Sequence, residues 1–161
     1  MALGLLGVAG IVLWWLIHLV VKPAVWGQPG TAAYETYEAY NQMWPLPLAL
    51  MALGTPALPL LLAPLHRAAR IGVGLLAIGL IAMLVGNIAE FWLFTDQTYQ
   101  SGAATGRNLS WGLFLIGLLV AMAGAVTLGL SVREGRPARR WVAALVAVLV
   151  PLTLLYPTFF G

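Results

Sequence analysis

Charge in this chain is confined to the ends of long apolar runs, and no other feature restricts its fold as strongly. Of the eight Lys and Arg residues, six (Arg67, Arg70, Arg133, Arg136, Arg139, Arg140) fall in two short segments, 67–70 and 133–140. Four of the five acids (Glu35, Glu38, Glu90, Asp96) lie near two other segments. A soluble domain carries roughly 25% charged residues; here 8% are charged and 61% hydrophobic, too little charge to cover a water-exposed surface. The expected fold class is an all-α integral membrane protein: a five-transmembrane-helix bundle with a short amphipathic interfacial helix between helices one and two.

A bilayer-spanning helix needs about 20 mainly apolar residues. Five segments qualify, at approximately 3–21, 46–65, 71–94, 109–132 and 141–160, with an outer loop at 22–45, and the whole chain 1–161 reads as one membrane domain. The first segment has no basic leader and is too long for the apolar core of a signal peptide. Loops 66–70 and 133–140 are separated by two spans, so they share a side, and both are basic. The positive-inside rule places them in the cytoplasm, with the N-terminus inside, the C-terminus outside and the loops 22–45 and 97–108 facing out. A four-span arrangement with a re-entrant second segment would separate the two basic loops. The basic pI, about 9.7, comes from cations at span ends, as membrane anchors do, so no nucleic-acid partner is expected. The Ala/Gly/Leu/Arg-rich composition suggests a bacterial plasma (inner) membrane.

The second span carries Pro47, Pro56, Pro59 and Pro64. Each internal proline removes a backbone hydrogen bond, so a kink or a short unwound stretch is expected near Gly54–Pro59. It is either a kink satisfied by its neighbours or a discontinuous helix offering backbone groups to a substrate. Span three has Gly72, Gly79 and Gly86 one per heptad, with Ala82 and Ala89 interleaved. Span four has Gly117, Ala121 and Gly124 on one face, with Ala125 and Gly129 close by. Small residues let helices approach closely in lipid, so these two spans are expected at the tight centre of the bundle, or packed against another subunit. In the outer loop, Thr31 is a candidate N-cap. The helix after it would place Tyr37, Tyr40, Met43 and Trp44 on one face, Tyr34 at its edge, and Glu35 and Glu38 on a more polar side. That helix would be an interfacial anchor, a lid or a docking surface.

Polar residues inside spans are costly and face the bundle interior. Glu90 lies about one turn from the outer end of span three, with Asn87 three residues before it on the same face. His18 ends span one, Asp96 begins an outer loop, and Arg107 and Asn108 precede span four. The expected ligand-binding cluster is therefore Glu90, Asn87, His18, Asp96, Arg107 and Asn108. In the structural alternative Glu90 pairs with Arg107 or Lys22, or snorkels to the interface. The two histidines, His18 and His66, stand about 30 Å apart across the membrane and cannot share one haem iron. No metal-ligand spacing, catalytic triad or phosphate loop is present, and the absence of cysteine removes thiol chemistry. No cofactor is identified.

The layout resembles the translocator protein family of short five-helix membrane proteins. The echo lies in Trp15 followed by Lys22-Pro23 and Trp26; Gly27-Gln28-Pro29 stands where that family has paired prolines. The resemblance implies binding of an apolar ligand.

The leading expectation is a non-catalytic accessory or structural subunit of a larger membrane complex, of the kind that holds lipid or pigment, with the lipid bilayer and other membrane subunits, or itself, as partners. The alternative is a binding protein or transporter for a small apolar or amphipathic ligand, using an outward-facing polar cavity around Glu90. A lipid-acting enzyme with Glu90 or Asp96 as acid–base is a third reading, and the chain is expected not to be an enzyme.

Overall fold

A computed structural model describes residues 2–21, 31–95, 105–132 and 137–159. Every element in them is helical: α1 (Ala2–Val21), α2 (Ala32–Asn41), α3 (Pro45–Gly54), α4 (Ala57–Leu62), α5 (Arg67–Ile88) running into a π-helical turn (Ala89–Leu93), α6 (Gly106–Ser131) and α7 (Pro137–Phe159). Five helical stretches are long and apolar enough to cross a membrane: Ala2–Val20, Ala32–Leu62, Arg67–Leu93, Gly106–Ser131 and Pro137–Leu155.

Helix contacts follow from side-chain size. Along α5 and α6, a Cβ at Gly79 would press on the Ala121 backbone and stand 2.6 Å from the Gly117 carbonyl, so only glycine fits. Two turns away on either side, Gly72 meets Gly124 and Leu128, and Gly86 meets Ser110 and Phe114. The seven-residue spacing keeps these crossings on one face of each helix. The expected tight pair is thus present, and it is made within this chain. A second close crossing joins α1 to α3, where Gly7 meets Gly54 and Gly10 meets Pro47 and Met51. On the other side, Gly129 of α6 meets Ala143 and Ala147 of α7. The pairings run antiparallel, which brings the C-terminal ends of α1 and α5 to the same end as the N-terminal ends of α3 and α6. The core between them contains Trp14, Leu48, Leu76, Met83, Leu118 and Leu154.

The proline-rich second span bends without opening. Pro56 has no N–H for the Ala52 carbonyl, and the Thr55 N–H takes that carbonyl instead at 3.2 Å. Pro59 likewise leaves the Thr55 carbonyl, which accepts from the Leu58 N–H at 3.0 Å. The Thr55 hydroxyl donates to the Met51 carbonyl at 3.1 Å. Each lost i→i−4 bond is replaced by a tighter one from the preceding residue. Of the two expectations for this segment, the structure has the kink with its backbone bonded.

The segment before it differs from expectation. α2 begins where the cap was expected, with the Thr31 hydroxyl accepting from the Tyr34 N–H. It then continues through a three-residue turn into α3, with the Gln42 N–H on the Glu38 carbonyl and the Leu48 N–H on the Trp44 carbonyl. Tyr34, Tyr40 and Trp44 are buried, whereas Met43 is exposed. Glu38 is not on an outward polar side with Glu35; it turns into the bundle, because a buried cation waits there.

Candidate functional site

Two features stand out: a buried polar layer at one end of the bundle and an apolar cleft nearer the other.

Trp44 organises the floor of the polar layer. Its ring lies 4.6 Å from Trp14, 5.4 Å from Tyr40 and 6.0 Å from Phe114, centroid to centroid, tying α1, α2, α3 and α6 together. Above it, the Tyr40 hydroxyl and His18 Nδ1 are 3.1 Å apart. Trp15 Nε1 donates to Thr153 Oγ1 at 3.0 Å, joining α1 to α7.

Arg107 is the centre of the layer, only 1% exposed. Its Nη2 donates to Glu38 Oε1 at 2.9 Å, and Nη1 to the Thr95 carbonyl at 3.3 Å. The guanidinium carbon stands 5.5 Å from the Tyr34 ring centre and 5.7 Å from that of Phe91. A planar cation held by a carboxylate, a carbonyl and two π-faces is a role for Arg rather than Lys. It also places positive charge at the C-terminal end of the α5 helix, where the dipole favours it. The π turn at 89–93 inserts both Glu90 and Phe91 into the interior, Glu90 being 2% exposed. It leaves the Phe91 carbonyl to be capped by Gln42 Nε2 at 3.0 Å. Glu90 lies within electrostatic reach of Tyr37.

Of the six expected site residues, the structure brings His18, Asn87, Glu90, Arg107 and Asn108 to this end. Asp96 lies outside the described residues. Asn108 is half-buried, its N–H capped by Thr105 Oγ1 at 3.2 Å. Sequence reasoning missed Glu38, Tyr34 and Gln42. Three buried polar atoms in this region, Asn87 Oδ1, Trp14 Nε1 and Arg107 Nε, make no hydrogen bond to the protein; a buried unsatisfied group costs about 1–3 kcal/mol. Among the described residues, no group of three His, Asp or Glu is placed to hold a metal.

The cleft, about 180 Å³, runs between α1, the α3–α4 kink, α5 and α7. Gly4 and Gly7 leave room on one wall; Met51, Leu80 and Val146 stand on the others, and Thr55 is the one polar side chain in the lining. The Thr55 hydroxyl is engaged with the Met51 carbonyl, so the lining offers only apolar contact.

Comparison with protein-family models, curated proteins and solved structures gives no match. The translocator-like layout therefore has no support beyond the residues that suggested it, of which only Trp15 is among those described. The reading of function rests on the chemistry of the two sites.

Proposed function

We propose that this chain is a non-catalytic, multi-pass membrane protein that binds a small apolar or amphipathic molecule, and that the apolar cleft, rather than the Glu90 cluster, is where the apolar part is held. The cleft carries the proposal: it is a concave, apolar-lined space at the junction of four helices, the usual character of a ligand site. The polar layer is mostly engaged in ties between helices, and Asn87 Oδ1 is a buried acceptor within it that makes no hydrogen bond to the protein.

Membrane placement is supported by the exposed tryptophans. Trp111 and Trp92 stand out at the polar end, and Trp141, 71% exposed, at the other. Gly129 packs on Ala143, so Trp141 lies level with the end of α6 near Ser131. Twenty helical residues separate Trp111 from that level, a rise of about 30 Å, which matches a hydrocarbon core of about 30 Å with aromatic belts at both faces. Exposed Arg67, Arg70 and Arg140 then mark the cytoplasmic side of a bacterial inner membrane, with the N-terminus inside.

The second reading, an accessory subunit of a larger complex, would use the large apolar side chains that ring the bundle, since the small-residue seams are already occupied within the chain. Native mass spectrometry of protein extracted gently from its own membranes separates the two. A single chain carrying a discrete extra mass is the expected result. Co-purifying larger proteins would favour the subunit, and a bare chain would remove the binding role.

A further inference from the structure

The α7 face that lines the apolar cleft continues past the lining residues to a cation. Val142, Val146 and Val150 of α7 line it at four-residue intervals. Arg139, three residues before Val142, continues the same helical face toward the basic end. It is half-buried, while Arg140 beside it is exposed. Gly4 and Leu61 line the cleft from the facing walls, and Arg67 and Arg70 begin α5 at the same end of the bundle. Among the described residues this end carries cations and no acid. An apolar cavity of about 150 Å³ holds benzene, so this cleft admits a stretch of about six carbons of an alkyl chain.

Resting on the binding reading above, we infer that the cleft takes an acyl chain of an anionic phospholipid from the cytoplasmic leaflet, with its phosphate at Arg139. Apolar slot and cation in line match the two parts of such a lipid, and a neutral lipid would use only the first.

The test reconstitutes the full chain in bilayers of equal phosphatidylglycerol and phosphatidylcholine, extracts it gently and weighs the lipid retained. Phosphatidylglycerol is expected on the wild type at one per chain, enriched about fivefold over phosphatidylcholine, the scale of one basic side chain at a membrane surface. Arg139→Gln should keep one lipid but lose the enrichment. Gly4→Leu should lose both lipids while keeping its helix content and elution volume. A Cβ at Gly4 meets only side-chain atoms of Ala57 at 3.8 Å and Leu61 at 3.9 Å, ordinary contact, at a position that lines the cleft. Enrichment that survives Arg139→Gln, or lipid that survives Gly4→Leu, overturns the inference. Retained lipid without headgroup preference on the wild type overturns the anionic class alone; no lipid of either kind overturns the inference, while the binding reading beneath it stands or falls on the mass carried from the protein's own membranes.

Discussion

Arg107 shows how a single residue sets the character of the polar end. A guanidinium removed from water must be neutralised and hydrogen-bonded, or it costs several kcal/mol. Here Glu38, the Thr95 carbonyl and two aromatic faces do this together. Arg107→Met is expected to destabilise the bundle by about 3 kcal/mol, by removing one partner of a buried pair. Glu38→Gln should cost less, about 1–2 kcal/mol, since Glu38 is 22% exposed and water partly replaces its partner. The double variant should be more stable than the sum of the two losses predicts, because neither charge is then left alone. Unfolding in detergent, followed by helix content, gives all three values; strict additivity would mean that the two residues do not act as a pair. Position 107 was legible as a polar residue at a span end. Its partner was not, because Glu35 and Glu38 look equivalent on an amphipathic ten-residue helix. Only the rotation of α2 set by buried Tyr34 and Tyr40 turns Glu38 in and Glu35 out.

At the scale of elements, glycine spacing was the clearest signal in the chain. Gly72, Gly79 and Gly86 recur every two turns, and a helix has few uses for three glycines on one face other than close approach. Gly74 is a control within the same helix, since a Cβ there meets nothing within 4 Å. Gly79→Ala should destabilise by about 1–3 kcal/mol through overpacking against α6. Gly74→Ala should be neutral or stabilising by up to about 1 kcal/mol, the helix-propensity difference. Equal effects at both positions, measured by the same unfolding assay, would contradict the seam. Prolines likewise announced the kink at Thr55–Pro56, but not the way in which Thr55 and Leu58 recover the lost bonds. Nothing in Ala89–Leu93 signalled a π turn: a one-residue insertion in the hydrogen-bond ladder depends on what packs around it, here Phe91 against Tyr37 and Gln42. The cleft was equally silent, because its walls come from four helices and no short pattern describes their junction.

For the whole molecule, charge distinguishes one end from the other. The two ends differ in kind: one exposes Arg67, Arg70 and Arg140, and the other buries Arg107 against the Glu38 carboxylate and two aromatic rings. A membrane with anionic lipid and a negative interior favours the exposed cations on the cytoplasmic side, and the proposed lipid site requires the same orientation. The chain has no cysteine, so one introduced thiol is the sole target for a thiol reagent. Glu35→Cys and Ala68→Cys suit the purpose, both positions being exposed and at opposite ends. A membrane-impermeant maleimide should label Glu35→Cys in cells with an intact inner membrane, and Ala68→Cys only after lysis. The reverse pattern would put Arg139 in the outer leaflet and refute the orientation. Labelling of both in intact cells would mean that the chain inserts both ways, as expected if its cations were too evenly distributed to hold one end inside.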